Sequence, residues 1–126
     1  MLALEVIRGL RVVAAPEALD AAPWGEDAVV LRFAADDAFV VAAIEIDLAD
    51  EHAIIADETA FVGGWLTDDD LDEWVVPHIE WPLPDARPAL AQGFIAGVPA
   101  KLWLTDGRTL LLCPAAYAHE LSERLR

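Results

Sequence analysis

The chain has 126 residues, 56% of them apolar, and carries 23 acidic against 8 basic side chains for a net charge of -15. That much apolar matter excludes a disordered chain and supplies the core of one domain, while the acidic field works against a nucleic-acid backbone or an anionic membrane surface. No run approaches the ~20 apolar residues that span a bilayer, and a single Cys excludes an internal disulfide or a Cys-rich zinc site.

Residues 2–13 alternate loosely through Leu2, Leu4 and Val6 and read as one strand broken at Gly9. Glu5, Arg8 and Arg11 interrupt this apolar start and no basic segment precedes it, so it does not read as a signal peptide and a cytoplasmic location is expected. Pro16 opens a short helix that closes before Pro23. Ala28–Ala34 reads as a strand whose Arg32 points outward or meets a carboxylate. After a turn at Ala35-Asp36-Asp37, Phe39–Ile46 reads as a strand whose last part alternates, with Ile44, Ile46 and Leu48 inward and Glu45 and Asp47 outward; a helix over 37–43 is the alternative, since Ala is common there. His52–Ala56 and Ala60–Trp65 are two further strands around a turn at Asp57-Glu58-Thr59, and Gly63-Gly64 ends or bulges the second.

Thr67 caps a helix over about 67–76, with Asp68, Asp69 and Asp70 at the positive end of its dipole and Leu71, Trp74 and Val75 on its buried side. Pro77 stops it. The segment 76–92 is proline-rich and extended, with one helical turn expected over Arg87–Gln92. From Gly97 onward, pattern, turn chemistry and capping agree. Lys101–Thr105 and Arg108–Cys113 flank Asp106-Gly107, a preferred pair for a type I′ reversal with positive φ at both central residues. This places Thr105 opposite Arg108, Leu104 opposite Thr109, Trp103 opposite Leu110 and Leu102 opposite Leu111. The second strand is apolar on both sides and belongs inside the sheet. Pro114 suits the first position of a closing helix, 114–125, with Ala118, Leu121 and Leu125 inward, Glu120 facing Arg124, and Arg124 and Arg126 at its cation-favouring end. The expected class is α+β: a single domain, 1–126, with an antiparallel sheet of five to seven strands and two main helices, about 67–76 and 114–125, packed on one side.

Chemistry-bearing candidates are few. In an extended segment His78 and Glu80 share a side, two residues apart, and could exchange a proton as an acid–base pair or assist a metal. Trp81 and Arg87, in the same long connection, and Trp103, on the polar side of its strand, are the candidates for contact with a ligand or partner. Asp50-Glu51-His52 with Asp57-Glu58 brings carboxylates and an imidazole to two strand ends, but no spaced histidine motif accompanies them, and no metal site is assigned. Asp68–Glu73 lacks the glycine and spacing of a calcium loop, the only serine, Ser122, has no nucleophile context, and the glycine pairs lack the strand-to-helix setting of a phosphate loop, so no cofactor is expected.

Leu90–Lys101, Leu110-Leu111-Leu112 and Ala116–Leu121 together resemble the second half of folate-binding modules, the glycine-cleavage aminomethyltransferases and the gamma subunit of heterotetrameric sarcosine oxidase; Arg32–Asp37 is similar to an earlier segment of that group. In that group a glycine-containing strand, a hairpin and a small-residue helix close the domain. No stretch here matches the aspartate-bearing segment of the transferases, so the resemblance implies an accessory, subunit-like module rather than folate chemistry. The expected function is a non-catalytic binding or accessory module that engages a protein partner or a second copy of itself, with room for a small-molecule ligand. The alternative is a small acid–base or metal-assisted enzyme using His78 and Glu80.

Overall fold

The computed structural model describes residues 2–125, so Arg126 lies outside the described residues. The fold is mixed α and β, mostly sheet, with two antiparallel sheets of five and four strands. The chain divides into two compact units, one built from residues up to Ile7 together with those from Ala60 onward, the other from Arg8–Thr59. The five-stranded sheet matches the antiparallel sheet of five to seven strands that was expected, and the four-stranded sheet is additional to it. Residues 2–13 form not one strand but two, β1 (Glu5–Val6) and β2 (Gly9–Val13), which join different sheets. Gly9, the first residue of β2, lies so close to its neighbouring strand that a Cβ there would be 2.1 Å from the carbonyl oxygen of Val40.

In the Arg8–Thr59 unit the strand order is β3 (Val30–Ala34), β4 (Asp37–Val41), β2, β5 (Ile54–Glu58). Leu10, Val12, Ala38 and Val40 alternate onto one face and bury Leu19 of helix α1 (Pro16–Asp20). The other face carries Arg11. Its guanidinium grips the Asp37 carboxylate with two nitrogens, donates a third bond to Glu58 at 3.0 Å and lies over the Phe33 ring. Arg32 does meet a carboxylate, Asp20, at 2.9 Å. The strand expected over Phe39–Ile46 is present only in its first part, which belongs to β4; the alternating part through Ile44, Ile46 and Leu48 is not strand. Ala42 takes a left-handed φ of 61° directly after β4 and turns the chain out of the sheet; Ile46 and Leu48 still pack on the core, but Ile44 is 92% exposed. Asp57 and Glu58 are strand residues of β5, not a turn.

In the other unit the order is β1, β6 (Phe61–Thr67), β9 (Arg108–Pro114), β8 (Val98–Thr105), β7 (Ala89–Ile95). Gly63 and Gly64 neither end nor bulge β6: they pair in register with Leu112 and Leu111, and a Cβ at Gly63 would lie 1.8 Å from the Leu111 carbonyl oxygen. The segment expected to make a helical turn at Arg87–Gln92 enters strand β7 instead, because it pairs along its length with β8. The four predicted pairings of the Asp106-Gly107 hairpin are all present, and β9 lies inside the sheet with both faces buried. Only Gly107 has positive φ (86°), so the reversal is not type I′; that geometry appears at Ala96 (φ 51°) and Gly97 (φ 79°), between β7 and β8.

Thr67 caps helix α2 (Asp68–Asp70) as expected. The Asp70 amide donates to the Thr67 hydroxyl at 3.1 Å, and the Thr67 amide donates back to the Asp70 carboxylate at 3.2 Å. The helix widens into a π-helical turn over Leu71–Val75 and tightens into a 3-10 turn over Val76–His78 around Pro77. The closing helix starts later than expected. Pro114 is still a strand residue opposite Phe61, followed by a 3-10 turn (Ala115–Tyr117) and α3 (Ala118–Arg124). Leu71 and Val75 from the π-helical turn, with Leu121 of α3 and Leu125 at its end, share one cluster with Val62, Leu66, Leu102, Leu104 and Leu111, so both helical segments cover the same face of the sheet. Arg124 fixes α3 at both ends of its reach, pairing with Glu120 at 3.3 Å and donating to the Ala96 carbonyl at 2.8 Å. No helix among the described residues is long and apolar enough to cross a membrane.

Candidate functional site

The face of the five-stranded sheet turned away from these helices carries an open, apolar cleft of about 200 Å³. Its position follows from register. The β8–β9 pairing runs from Thr105–Arg108 out to Lys101–Leu112 and stops there. The next pair on the same face would be Pro99 with Pro114. Neither has an N–H to donate, so the ladder ends and the strands part. Phe61 pairs with Pro114 on one side and Phe94 with Pro99 on the other, which lines the gap with two aromatic rings and two proline rings. Leu112 forms its floor. Phe94 is 63% exposed. On the next row Lys101 donates to the side-chain carbonyl of Gln92, its pairing partner.

Cys113 borders the cleft but is buried, and burial pushes its thiol up to about 11. At neutral pH it stays protonated and unreactive.

The sequence-derived candidates lie elsewhere. His78 closes the 3-10 turn and is half-buried; Glu80 lies on an exposed bend beyond Ile79. The extended geometry that put the two on one side is therefore not the geometry of His78. No ion pair joins them. Trp81 lies against Gly93 of β7, where a Cβ would approach its ring to 2.7 Å, and its indole nitrogen donates to the Phe94 carbonyl at 2.9 Å. Arg87 donates to the carbonyls of Pro84 (2.6 Å) and Ala86 (2.9 Å) and borders a polar hollow with Asp68, Asp72 and Asp106. Trp103 is half-buried in a cross-strand row with Leu110 and Trp65; Arg108 lies over the Trp65 ring at 3.9 Å. The structure thus does not gather these five residues at one place.

At the other carboxylate cluster, Asp50 accepts from the backbone amides of Ala15 and His52, both at 2.9 Å, and these bonds hold its carboxyl below the ordinary range. Glu58 is engaged by Arg11, and His52 and Glu51 are exposed. Among the described residues no three His, Cys, Asp or Glu side chains are close enough together to hold a metal ion.

Phe61, Phe94 and Pro99 were not among the sequence candidates, although a signal for them existed. The hairpin register predicted from Asp106-Gly107, carried three steps past Leu102–Leu111, sets Pro99 against Pro114 and marks the place where pairing must fail. No protein-family model matches the chain, and no curated protein matches it either.

Proposed function

We propose that the chain is a non-catalytic binding module, the accessory-subunit role implied by its resemblance to the closing half of folate-binding modules, and that the cleft receives apolar side chains of a protein partner. The observation that carries this reading is the chemistry of the lining. Phe61, Phe94, Pro99, Leu112 and Pro114 offer apolar surface, Lys101 and Gln92 bond each other, and among the described residues no carboxylate or imidazole borders the gap. Acid–base catalysis needs a titratable group within hydrogen-bond reach of a substrate, and covalent catalysis needs an activated nucleophile; the neutral thiol of Cys113 is neither. Size favours a side chain over a free ligand. The cleft, at about 200 Å³, is smaller than the ~300–1,000 Å³ of small-molecule pockets, but suits an aromatic or aliphatic anchor of the kind that dominates protein interfaces.

The test is a photo-crosslinking residue placed at position 94 in the source cells, followed by titration calorimetry of the captured partner against the wild type, Phe94→Ser and Pro99→Ser. Removal of an anchor contact weakens binding by tenfold or more, about 1.4 kcal/mol. Equal affinity of the wild type and both variants would overturn the assignment.

A further inference from the structure

We propose that the free edge of β5 binds an extended, cationic peptide segment by strand addition, at a site distinct from the cleft. The four sheet edges are treated differently. β1 is only two residues long. β3 carries a register irregularity between Arg32 and Ala34. β7 is covered near its end, where Trp81 bonds the Phe94 carbonyl and the Ala96 amide donates to His78 at 2.9 Å. Short length, bulges and coverage are the devices that keep edges from pairing with other chains. β5 has none of them: five residues, unbroken register with β2, no proline, no lysine.

The direction of its backbone groups follows from β2. The Ala42 amide donates to Arg8 and the Ala14 amide to Asp36, so even-numbered residues of β2 bond β4. Gly9, Arg11 and Val13 therefore bond β5 through Glu58, Ala56 and Ile54. The amides and carbonyls of Ile55 and Asp57 point outward, and no backbone bond to them is made. Ile54 is 65% and Ile55 42% exposed, giving an incoming strand apolar contact on both faces.

Charge selects the occupant. This unit holds twelve acidic side chains against Arg8, Arg11 and Arg32, and the last two are already paired with carboxylates. Asp57 is exposed on the edge itself, and Asp47, Asp50 and Glu51 precede it in the chain leading to β5. A second copy would bring another charge of -15, so a partner with cations alternating with β-branched residues fits instead.

The probe is a capped alternating Val–Lys heptapeptide, with Val–Glu and Val–Ser heptapeptides as comparisons, titrated into the full chain by amide NMR. The Val–Lys peptide is expected to saturate, to slow exchange of the Ile55 and Asp57 amides at least tenfold with Ile54 and Ala56 little changed, and to weaken as salt rises. Asp57→Pro, which removes an outward amide without touching the β2 ladder, and Ile55→Lys, which keeps the amide but puts a cation on the edge, should each weaken binding at least tenfold. Equal binding of the Val–Glu peptide overturns the proposal, as does full affinity in both variants. Protection of the Ile55 and Asp57 amides in the free protein that grows with its concentration would show a second copy on the edge and overturn it too. None of these outcomes depends on Phe94, so failure here and failure of the cleft are separable.

Discussion

Gly93→Ala is the sharpest probe of how the connection between the 3-10 turn at Val76–His78 and β7 is held. A Cβ at this position would lie 2.7 Å from Cε2 and Nε1 of Trp81 and 3.0 Å from Cζ2, where ordinary contact begins at 3.4 Å. The ring must retreat by about 0.7 Å, and to the extent that it retreats along the 2.9 Å bond to the Phe94 carbonyl it stretches that bond towards about 3.6 Å. Losing that bond costs about 1 kcal/mol and displacing a packed indole about 1–2 more, so a total near 2–3 kcal/mol is expected. The same substitution in a Trp81→Ala background meets no ring. There it should be neutral or stabilising by up to about 0.5–1 kcal/mol, since glycine is a poor strand residue. Urea unfolding of the four proteins, followed by far-UV circular dichroism, gives the coupling energy directly. A coupling below about 0.5 kcal/mol would refute the view that glycine is required here by the tryptophan lying on it.

Arg11→Met removes the guanidinium that Asp37 and Glu58 share, and at neutral pH should destabilise by about 2–3 kcal/mol in urea melts. Burial keeps the Cys113 thiol neutral in the fold to about 11 against 9.0 for an ordinary thiol, so its contribution is fully present below pH 9.0 and lost as pH climbs towards 11; the wild type should therefore lose stability over that interval relative to Cys113→Ala, and its reaction with a disulfide reagent at pH 8 should be slow until urea unfolds it. Thr67→Ala should cost about 1 kcal/mol and Thr67→Ser almost nothing, measured by the same melts, because the hydroxyl closes a reciprocal pair of bonds with Asp70.

The parts of the fold readable in sequence are those where local chemistry and long-range pairing agree. Asp106-Gly107 set a register that extends over β8 and β9, and Thr67 with three aspartates marked a helix start. The failures share a cause: an alternation or a glycine pair shows what a segment could pair with, not whether a neighbour is present. Ile44, Ile46 and Leu48 alternate well, but a left-handed Ala42 has already turned the chain out of the sheet. Gly63-Gly64 looks like a strand end in isolation and is a close approach to Leu111 in the sheet. Leu90–Gln92 reads as helical until β8 is placed beside it. The cleft was half-legible for the same reason. Its prolines were visible, but their confrontation depends on extending a pairing beyond the residues that define the hairpin.

Proline and charge together explain which apolar surface this chain leaves uncovered. With 56% apolar residues, exposed groups such as Ile44, Ile54 and Phe94 would ordinarily invite self-association. A charge of -15 opposes contact between copies without altering the local surfaces themselves, and it leaves them free for a partner of other composition. Pro99 and Pro114 contribute by a different route: they end the β8–β9 ladder beside Phe61 and Leu112, at the cleft. The cleft is thus held open by backbone chemistry rather than by a missing side chain. It follows that enlarging a lining residue would fill it, whereas restoring an N–H at position 99 or 114 would give the strands a donor with which to close it.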